Sequence, residues 1–234
     1  MEALSQFAEL MAKARLVELS HHLEEGIPIW PTHSRFFKMV WHSPEKGDDS
    51  LNYQFVMNEH NGTHVDSLAH FFPKGGVSID KMPPETFSGP CAVINVESVG
   101  KGGTAEPGHI LDWEKENGRI AKGDVVVLNY GWHRLWKLMP DHLPFITDFP
   151  GLSEKGAELL RDRGAKLVGC DPMAVDALKN SGQPAHHVLL GSGVAIVENL
   201  ANLDQLPPRC YFLCLPLRIR GGSGSPVRPV ALVL

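Results

Sequence analysis

Three histidines and one aspartate fall within eleven consecutive positions of the sequence, and all four carry even numbers. They are His60, His64, Asp66 and His70. Residues separated by even steps along an extended strand point to the same face. Imidazole nitrogens and carboxylate oxygens bind divalent ions such as Zn2+ in proteins. The types and spacing of these residues therefore predict a metal site.

A straight strand would hold these side chains too far apart for one ion. At a rise of about 3.3 Å per residue, His60 and Asp66 would be separated by roughly 20 Å. Ligand atoms lie only about 2 Å from a bound zinc ion. Gly62 lies between the two residues, and glycine adopts backbone angles that other residues resist. We therefore expect a bend at Gly62 that brings His60 over His64 and Asp66.

The same residues also have a purely structural interpretation. A histidine near an aspartate forms a surface ion pair more often than a metal site, and a helix would place His60 and His64 one turn apart. The intervening Asn61, Gly62 and Thr63 are poor helix formers. The further histidine downstream also adds a donor that a simple ion pair does not need. The metal site is the better interpretation.

The remaining sequence predicts a mixed set of helices and strands around this stretch. Helical patterns cover residues 3–14, 107–117 and 153–164. Strands are expected at residues 16–20, 53–59, 91–96, 125–130, 167–170, 211–217 and 227–234. Residues 131–150 are expected to form a surface loop, with a mobile loop over a pocket as the alternative, and the glycine-rich residues 221–226 are expected to form a flexible loop.

Two further residues stand out by their surroundings. An apolar run that follows His186 reads as a buried strand and ends at Glu198. A carboxylate at the end of a buried strand is costly unless a cation or a hydrogen-bond donor compensates it, although an exposed strand end would also fit the pattern. Trp30 lies between Pro28 and Pro31, which suits either a core residue or one that covers a pocket.

Composition limits the class of protein. The chain has 234 residues, enough for one large domain or two small ones, and 43% hydrophobic residues are ample for a core. A net charge of -5 without a basic stripe argues against nucleic acid as a partner. No segment approaches the about 20 apolar residues of a membrane helix, and the first residues do not resemble a signal peptide. We expect a cytoplasmic protein with no membrane partner.

The four cysteines lie within apolar runs and form no Cys-x-x-Cys pair. They are Cys91, Cys170, Cys210 and Cys214. We expect buried free thiols, and neither a disulfide framework nor a zinc-binding motif.

The pattern His-x-Gly-Thr-His-x-Asp-x-x-x-His over residues 60–70 resembles the signature of the cyclase-like metal-dependent hydrolases. This family includes bacterial kynurenine formamidase and isatin hydrolase. Residues 29–31, 186–200 and 216–228 are similar to other stretches of the family, so the resemblance covers most of the chain from about residue 16 onward. Ser67 and Leu68 stand where the family usually has Ala-Pro.

The resemblance implies an α/β protein with a swivelling β/β/α fold, a central mixed β core and outer helices. It also implies a homodimer or homotetramer. We expect a single hydrolase domain over residues 1–234, with residues 1–15 as an N-terminal helical extension.

Carried over position by position, the resemblance also assigns roles to individual residues. It implies Zn2+ or Mn2+, with one or two ions per subunit. The first ion would be held by His60, His64 and Asp66, and the second by Asp66, His186 and Glu198. His70 would be the acid/base residue, and Trp30 would contact the substrate.

The expected reaction is hydrolysis of a small aromatic amide by metal-activated water. The substrate would be an N-formylkynurenine-type formamide, as in tryptophan catabolism, or an isatin-type lactam. His70 suits proton transfer because histidine titrates near neutral pH. Two alternatives remain: a catalytically inactive, metal-bound small-molecule binding protein of the same fold, and a scaffold whose histidines are structural. The other histidines are expected to be surface or packing residues, with His33 the one best placed to reach a pocket.

Overall fold

The computed structural model describes residues 2–234 and contains five α-helices and thirteen strands. The helices are α1 (Glu2–Lys13), α2 (Pro107–Asn117), α3 (Leu143–Ile146), α4 (Glu154–Arg163) and α5 (Pro184–Gly191). The strands are β1 (Arg15–Glu18), β2 (Phe37–His42), β3 (Asn52–Val56), β4 (His64–Asp66), β5 (Ser88–Asn95), β6 (Thr104–Ala105), β7 (Val125–Asn129), β8 (Gly151–Leu152), β9 (Leu167–Cys170), β10 (Ala195–Glu198), β11 (Arg209–Leu213), β12 (Gly224–Pro226) and β13 (Val230–Val233).

Nine of these strands form one mixed sheet in the order β1-β13-β11-β5-β7-β9-β10-β4-β12. The central strands β5, β7, β9 and β10 are parallel, and the strands on both sides of them pair antiparallel. Two-stranded sheets are formed by β2 with β3 and by β6 with β8. The structure confirms the predicted α/β class with a mixed β core and outer helices.

The central sheet is buried on both faces. Val126 and Leu128 of β7 pack into the cluster on the side of α2, α4 and α5, whereas Val125 and Val127 pack into the cluster on the other side. Strands buried on both faces read as continuous apolar runs, which explains the Val-Val-Val-Leu sequence of β7. Because β4 and β13, near opposite ends of the strand order, share the second cluster, the sheet curls around it.

Local signals placed several elements correctly. The helix predicted over residues 107–117 is α2, with proline in its first turn. Ser153 caps α4 by accepting a hydrogen bond from the Gly156 N–H at 3.1 Å, and Gly164 ends this helix with a φ of 77°.

Three expectations were wrong. The apolar run after His186 is not one strand, because α5 occupies its first part and β10 begins only at Ala195. Pro184 suits the first turn of this helix, and Gly193, with a φ of 86°, separates it from β10. The loop expected at residues 221–226 contains β12, which pairs with the free edge of β4.

The third correction concerns residues 131–150, which were expected to form a surface loop. They contain α3, and several of their aromatic side chains are buried against the helices. The Trp132 indole donates a hydrogen bond to the Phe145 carbonyl at 2.8 Å, which satisfies its N–H inside the core. None of the helices formed by residues 2–234 has the length and apolar character needed to cross a membrane.

Candidate active site

The register of β4 with its two neighbours places the predicted donors on one face. Asp66 lies opposite Ile196 of β10, and His64 lies opposite Glu198. Directly opposed residues of antiparallel strands point to the same side of the sheet. His64 and Glu198 therefore approach each other, with 3.5 Å between His64 Nε2 and Glu198 Oε2.

The bend predicted at Gly62 is present, with a φ of 65°. Hydrogen bonds from the segment after β10 hold it: the Thr63 hydroxyl donates to the Asn199 carbonyl at 2.6 Å, and the Asn199 amide donates to the Gly62 carbonyl at 2.9 Å. A Cβ atom at position 62 would lie only 2.6 Å from Leu23 Cδ2, so the Leu23 side chain would have to move. The bend returns His60 to the other donors, with His60 Nδ1 2.7 Å from Asp66 Oδ1.

Five side chains form two groups of donors that share Asp66, and each group could hold a metal ion. Asp66 Oδ1 lies 3.3 Å from His64 Nε2, and Asp66 Oδ2 lies 3.7 Å from His186 Nε2. His186 Nε2 is in turn 3.1 Å from Glu198 Oε1. One group is His60, His64 and Asp66, and the other is Asp66, His186 and Glu198, with the donor atoms of each within 4.8 Å of one another.

These donors fit a divalent cation. Asp66 Oδ2 is buried and accepts no hydrogen bond, which leaves an acceptor that a cation would satisfy. Burial raises the pKa of the Asp66 carboxyl, but the facing histidines outweigh this effect and hold the pKa well below its ordinary value, so the carboxylate stays charged. Although burial opposes it, the Asp66 carboxylate raises the pKa of His64 to about 8. Both shifts show that this buried cluster attracts positive charge.

Outside these groups, Asp176 sets the orientation of His186. Its Oδ2 accepts hydrogen bonds from His186 Nδ1 at 2.7 Å and from the His186 backbone N–H at 3.0 Å. Its Oδ1 accepts from the Ala185 N–H at 2.9 Å, so the carboxylate also caps the first turn of α5. With Nδ1 occupied in this way, Nε2 faces Asp66 and Glu198. Sequence reasoning missed Asp176, because no short motif connects it to His186.

Ser223 plays a corresponding part beside His60. His60 Nε2 lies 2.9 Å from the Ser223 hydroxyl, which donates a hydrogen bond to the Glu59 carboxylate. His60 Nδ1 is thereby left to face Asp66. Ser223 also escaped the sequence analysis, because it belongs to the segment that was expected to be a flexible loop.

His70 lies beside the donors without belonging to either group. Its ring stacks on the His60 ring with 4.0 Å between centroids. Burial lowers the pKa of His70 to about 4, so the imidazole is neutral at pH 7 and can accept a proton.

The donors line one end of a cavity of about 500 Å³. Trp30, Phe71 and Met173 supply apolar walls, and His33 also reaches it. The full lining is Pro28, Ile29, Trp30, His33, His60, His64, His70, Phe71, Pro73, Met173, Ala174, Gln183, His186, Glu198 and Asn199. Within the described part of the chain, no lysine or arginine belongs to this lining.

A family model named Cyclase matches residues 17–177, which include β4 and the stretch from His60 to His70. The chain belongs to the cyclase family. His186 and Glu198 lie beyond the matched segment, on α5 and β10.

Comparisons over the whole chain agree with this membership. Kynurenine formamidase of Geobacillus thermodenitrificans is 32% identical over 214 residues, covering 91% of this chain and 94% of the relative. Isatin hydrolase A from Labrenzia aggregata, solved with benzyl benzoate, aligns with a TM-score of 0.89 at 28% identity and covers 99% of both chains. An isatin hydrolase solved with the product analogue thioisatinate aligns with a TM-score of 0.91 at 25% identity, over 99% of this chain and 98% of that one.

The cyclase-family structure thus brings all of the residues chosen from the sequence to one cavity. His60, His64, His70, His186, Glu198 and Trp30 line it, and Asp66 lies buried beneath the donors. The other histidines that were set aside lie outside both donor groups: His133, for example, is 3.0 Å from Asp171, and His187 packs against Phe71.

The first prediction concerns Asp176. In Asp176→Asn, one oxygen becomes an amide that cannot accept a hydrogen bond, so the His186 ring loses its orientation. We expect metal affinity to fall about 10- to 100-fold, as for other partners of metal-binding histidines. The measurement is metal binding in competition with a chelator.

Asp171→Asn is the matched control for this prediction. Asp171 accepts hydrogen bonds from the Tyr130 and His133 backbone N–H groups and from His133 Nδ1. These are the same types of bond that Asp176 accepts, namely two from backbone N–H groups and one from a histidine Nδ1. Both variants should lose stability, and only Asp176→Asn should lose metal affinity. Equal metal affinity in the two variants would contradict the assignment.

Proposed function

We propose that this protein is a metal-dependent amidohydrolase that cleaves the C–N bond of an aryl amide. The observation that carries the proposal is the pair of donor groups sharing Asp66, with His70 beside them, at the end of an aromatic-walled cavity. His60, His64 and Asp66 would hold one ion, and Asp66, His186 and Glu198 a second. We propose Zn2+ or Mn2+, because imidazole and carboxylate ligands suit both.

The chemistry divides between the metal and the side chains around it. When bound, the metal polarises a carbonyl group and lowers the pKa of a water molecule. His70 would take up the proton of the attacking water and return it to the leaving nitrogen, because its neutral imidazole lies beside the donors. Burial of the donors keeps bulk water away, which strengthens each electrostatic interaction.

Aromatic side chains select a flat substrate. Trp30 and Phe71 line the cavity and can pack against the faces or edges of an aryl ring. An N-formylkynurenine-type formamide and an isatin-type lactam both place the reacting carbonyl beside an aryl nitrogen. The described lining offers no lysine or arginine side chain for a substrate carboxylate. A neutral aryl amide, such as an isatin-type lactam, therefore fits it better than a formamide that carries an amino-acid carboxylate.

The test measures metal content and turnover on one preparation purified without chelator. We expect one or two equivalents of Zn2+ or Mn2+ per chain, hydrolysis of isatin and of neutral aryl formamides, and a lower kcat/KM for a carboxylate-bearing formamide. His64→Ala should lose both metal and turnover. Binding of these compounds without turnover by the metal-loaded protein would favour the catalytically inactive alternative, and absence of metal would contradict the proposal.

A further prediction separates His70 from the metal donors. His70→Ala should retain the metal content of the wild type, whereas kcat should fall about 10²- to 10⁴-fold through loss of proton transfer. His187→Ala is the matched control, because His187 also packs edge-on against Phe71 but is exposed and belongs to neither donor group. Near wild-type kcat in His70→Ala would exclude the acid/base role.

We also propose that the protein is one hydrolase domain that forms a homodimer or homotetramer, with residues 1–15 as an extension. Every residue of β2 and β3 is exposed, including Trp41 and Phe55 at 59% each. Exposed apolar patches of this kind are typical of protein interfaces. The hairpin of β2 and β3 is therefore the surface that we expect another subunit to cover.

Light scattering of the eluting protein in size-exclusion chromatography tests this assembly. We expect the mass of a dimer or tetramer. The double variant Trp41→Lys and Phe55→Lys should shift the protein toward the monomer, because assembly would then bury two unpaired charges at the interface. Phe7→Lys, on the equally exposed α1, is the control. An unchanged mass in the hairpin variant would exclude this surface.

A further inference from the structure

Two of the cysteines lie directly opposite each other on antiparallel strands. Cys91 of β5 pairs in register with Cys210 of β11, so their side chains point to the same face of the sheet. The two thiols lie close enough for each to affect the pKa of the other. The sequence offered no sign of this proximity, because the two residues are far apart along the chain.

The Cα spacing of the two strands lies within the range that disulfides span. The Val93 N–H donates to the Pro208 carbonyl, which marks that pair as a hydrogen-bonded one. Hydrogen-bonded pairs recur at every second position, so Cys91 and Cys210 form the next such pair along the ladder. The Cα atoms of such pairs lie about 5.5 Å apart, which is within the about 4.4–6.8 Å that disulfides span. Their Cβ atoms lie about 4.5–5.5 Å apart, against about 3.5–4.5 Å in a disulfide, so the two strands must move slightly closer when the bond forms.

The two thiols differ in access and acidity. Cys91 is completely buried in the core cluster on this face of the sheet, whereas Cys210 packs at its edge and is partly exposed. Interaction with the Cys91 thiol lowers the pKa of Cys210, and burial raises the pKa of Cys91 well above its ordinary value. Since the thiolate is the reactive form, Cys210 reacts first and Cys91 second.

We propose that Cys91 and Cys210 form an oxidative modification site, at which a hydroperoxide converts the thiol pair into a reversible disulfide. The Cys210 sulfur attacks one peroxide oxygen, the O–O bond breaks, and Cys210 becomes a sulfenic acid with release of one water from hydrogen peroxide. The Cys91 sulfur then attacks the Cys210 sulfur, and the S–O bond breaks with release of a second water. Two thiols thereby lose two electrons and two protons, and the peroxide takes up both.

The other two cysteines lack this arrangement. Cys170 and Cys214 are buried, and burial raises the pKa of both. Neither is paired in register with a cysteine of a neighbouring strand. Oxidation is therefore selective for one pair, and that pair lies outside the lining of the catalytic cavity.

A disulfide here would join β11 to β5, where the antiparallel part of the sheet meets the parallel strands. Because the link closes a long loop, from residue 91 to residue 210, it restricts the unfolded chain and stabilises the native state. The oxidised protein should therefore unfold at a higher urea concentration than the reduced protein.

The experiment adds hydrogen peroxide stepwise to the metal-containing protein, followed by alkylation of the remaining thiols in denaturant. We expect free thiols to fall from four to two. Peptide mapping without reductant should find the Cys91 and Cys210 peptides linked, with the mass of two hydrogens lost. Dithiothreitol should restore all four thiols and the original urea midpoint.

Variants separate this pair from general oxidation. Cys210→Ala should abolish the link, and Cys91→Ala should leave Cys210 as a sulfenic acid that dimedone traps. Cys214→Ala, a buried control next to β11, should still form the link. Three outcomes would each overturn the proposal. These are four alkylated thiols after peroxide treatment, a different linked pair, and linkage between two chains through Cys210. If Cys91→Ala does not fold, Cys210→Ala carries the test alone.

Discussion

The burial of one charged carboxylate governs the arrangement of this site. Asp66 is completely buried, and burying an ionised carboxylate is costly unless cations or donors surround it. His60 and His64 approach it from its own stretch of chain and His186 from α5, and Glu198 adds a second buried carboxylate. The facing histidines offset part of this cost, and a bound cation would offset more of it. The site and the affinity for a cation are therefore two consequences of the same interaction.

The curled mixed sheet makes this convergence possible. β4 contributes only three residues, yet it pairs with β10 on one side and β12 on the other. This double pairing fixes the register in which His64 faces Glu198. A shift of one residue would turn His64 and Asp66 to the opposite face of the sheet. The bend at Gly62 and its hydrogen bonds to Asn199 then return His60 to the same cavity.

A further set of interactions orients the donors without touching a substrate. Asp176 holds the first turn of α5 and the His186 ring together, and Ser223 connects His60 to Glu59. These contacts fix which ring nitrogen of each histidine faces the cavity. Imidazole has two distinct nitrogens, so a metal site needs such partners to select one of them. Apart from the donors and His70, most of the cavity lining is apolar, with His33, Gln183 and Asn199 as the other polar residues.

The sequence by itself determined the elements and residues whose signals are local. Features that depend on neighbours within a few residues could be predicted from the sequence. These are the spacing from His60 to His70, the bend at Gly62, the caps of α4 and the buried apolar run of β7. Tertiary structure decided the rest. Strand order and register decide which distant residues meet. They set the pairing of β12 with β4, the helix at His186, the partners Asp176 and Ser223, and the position of Cys91 opposite Cys210. These are set by contacts between distant segments, and no local pattern encodes them.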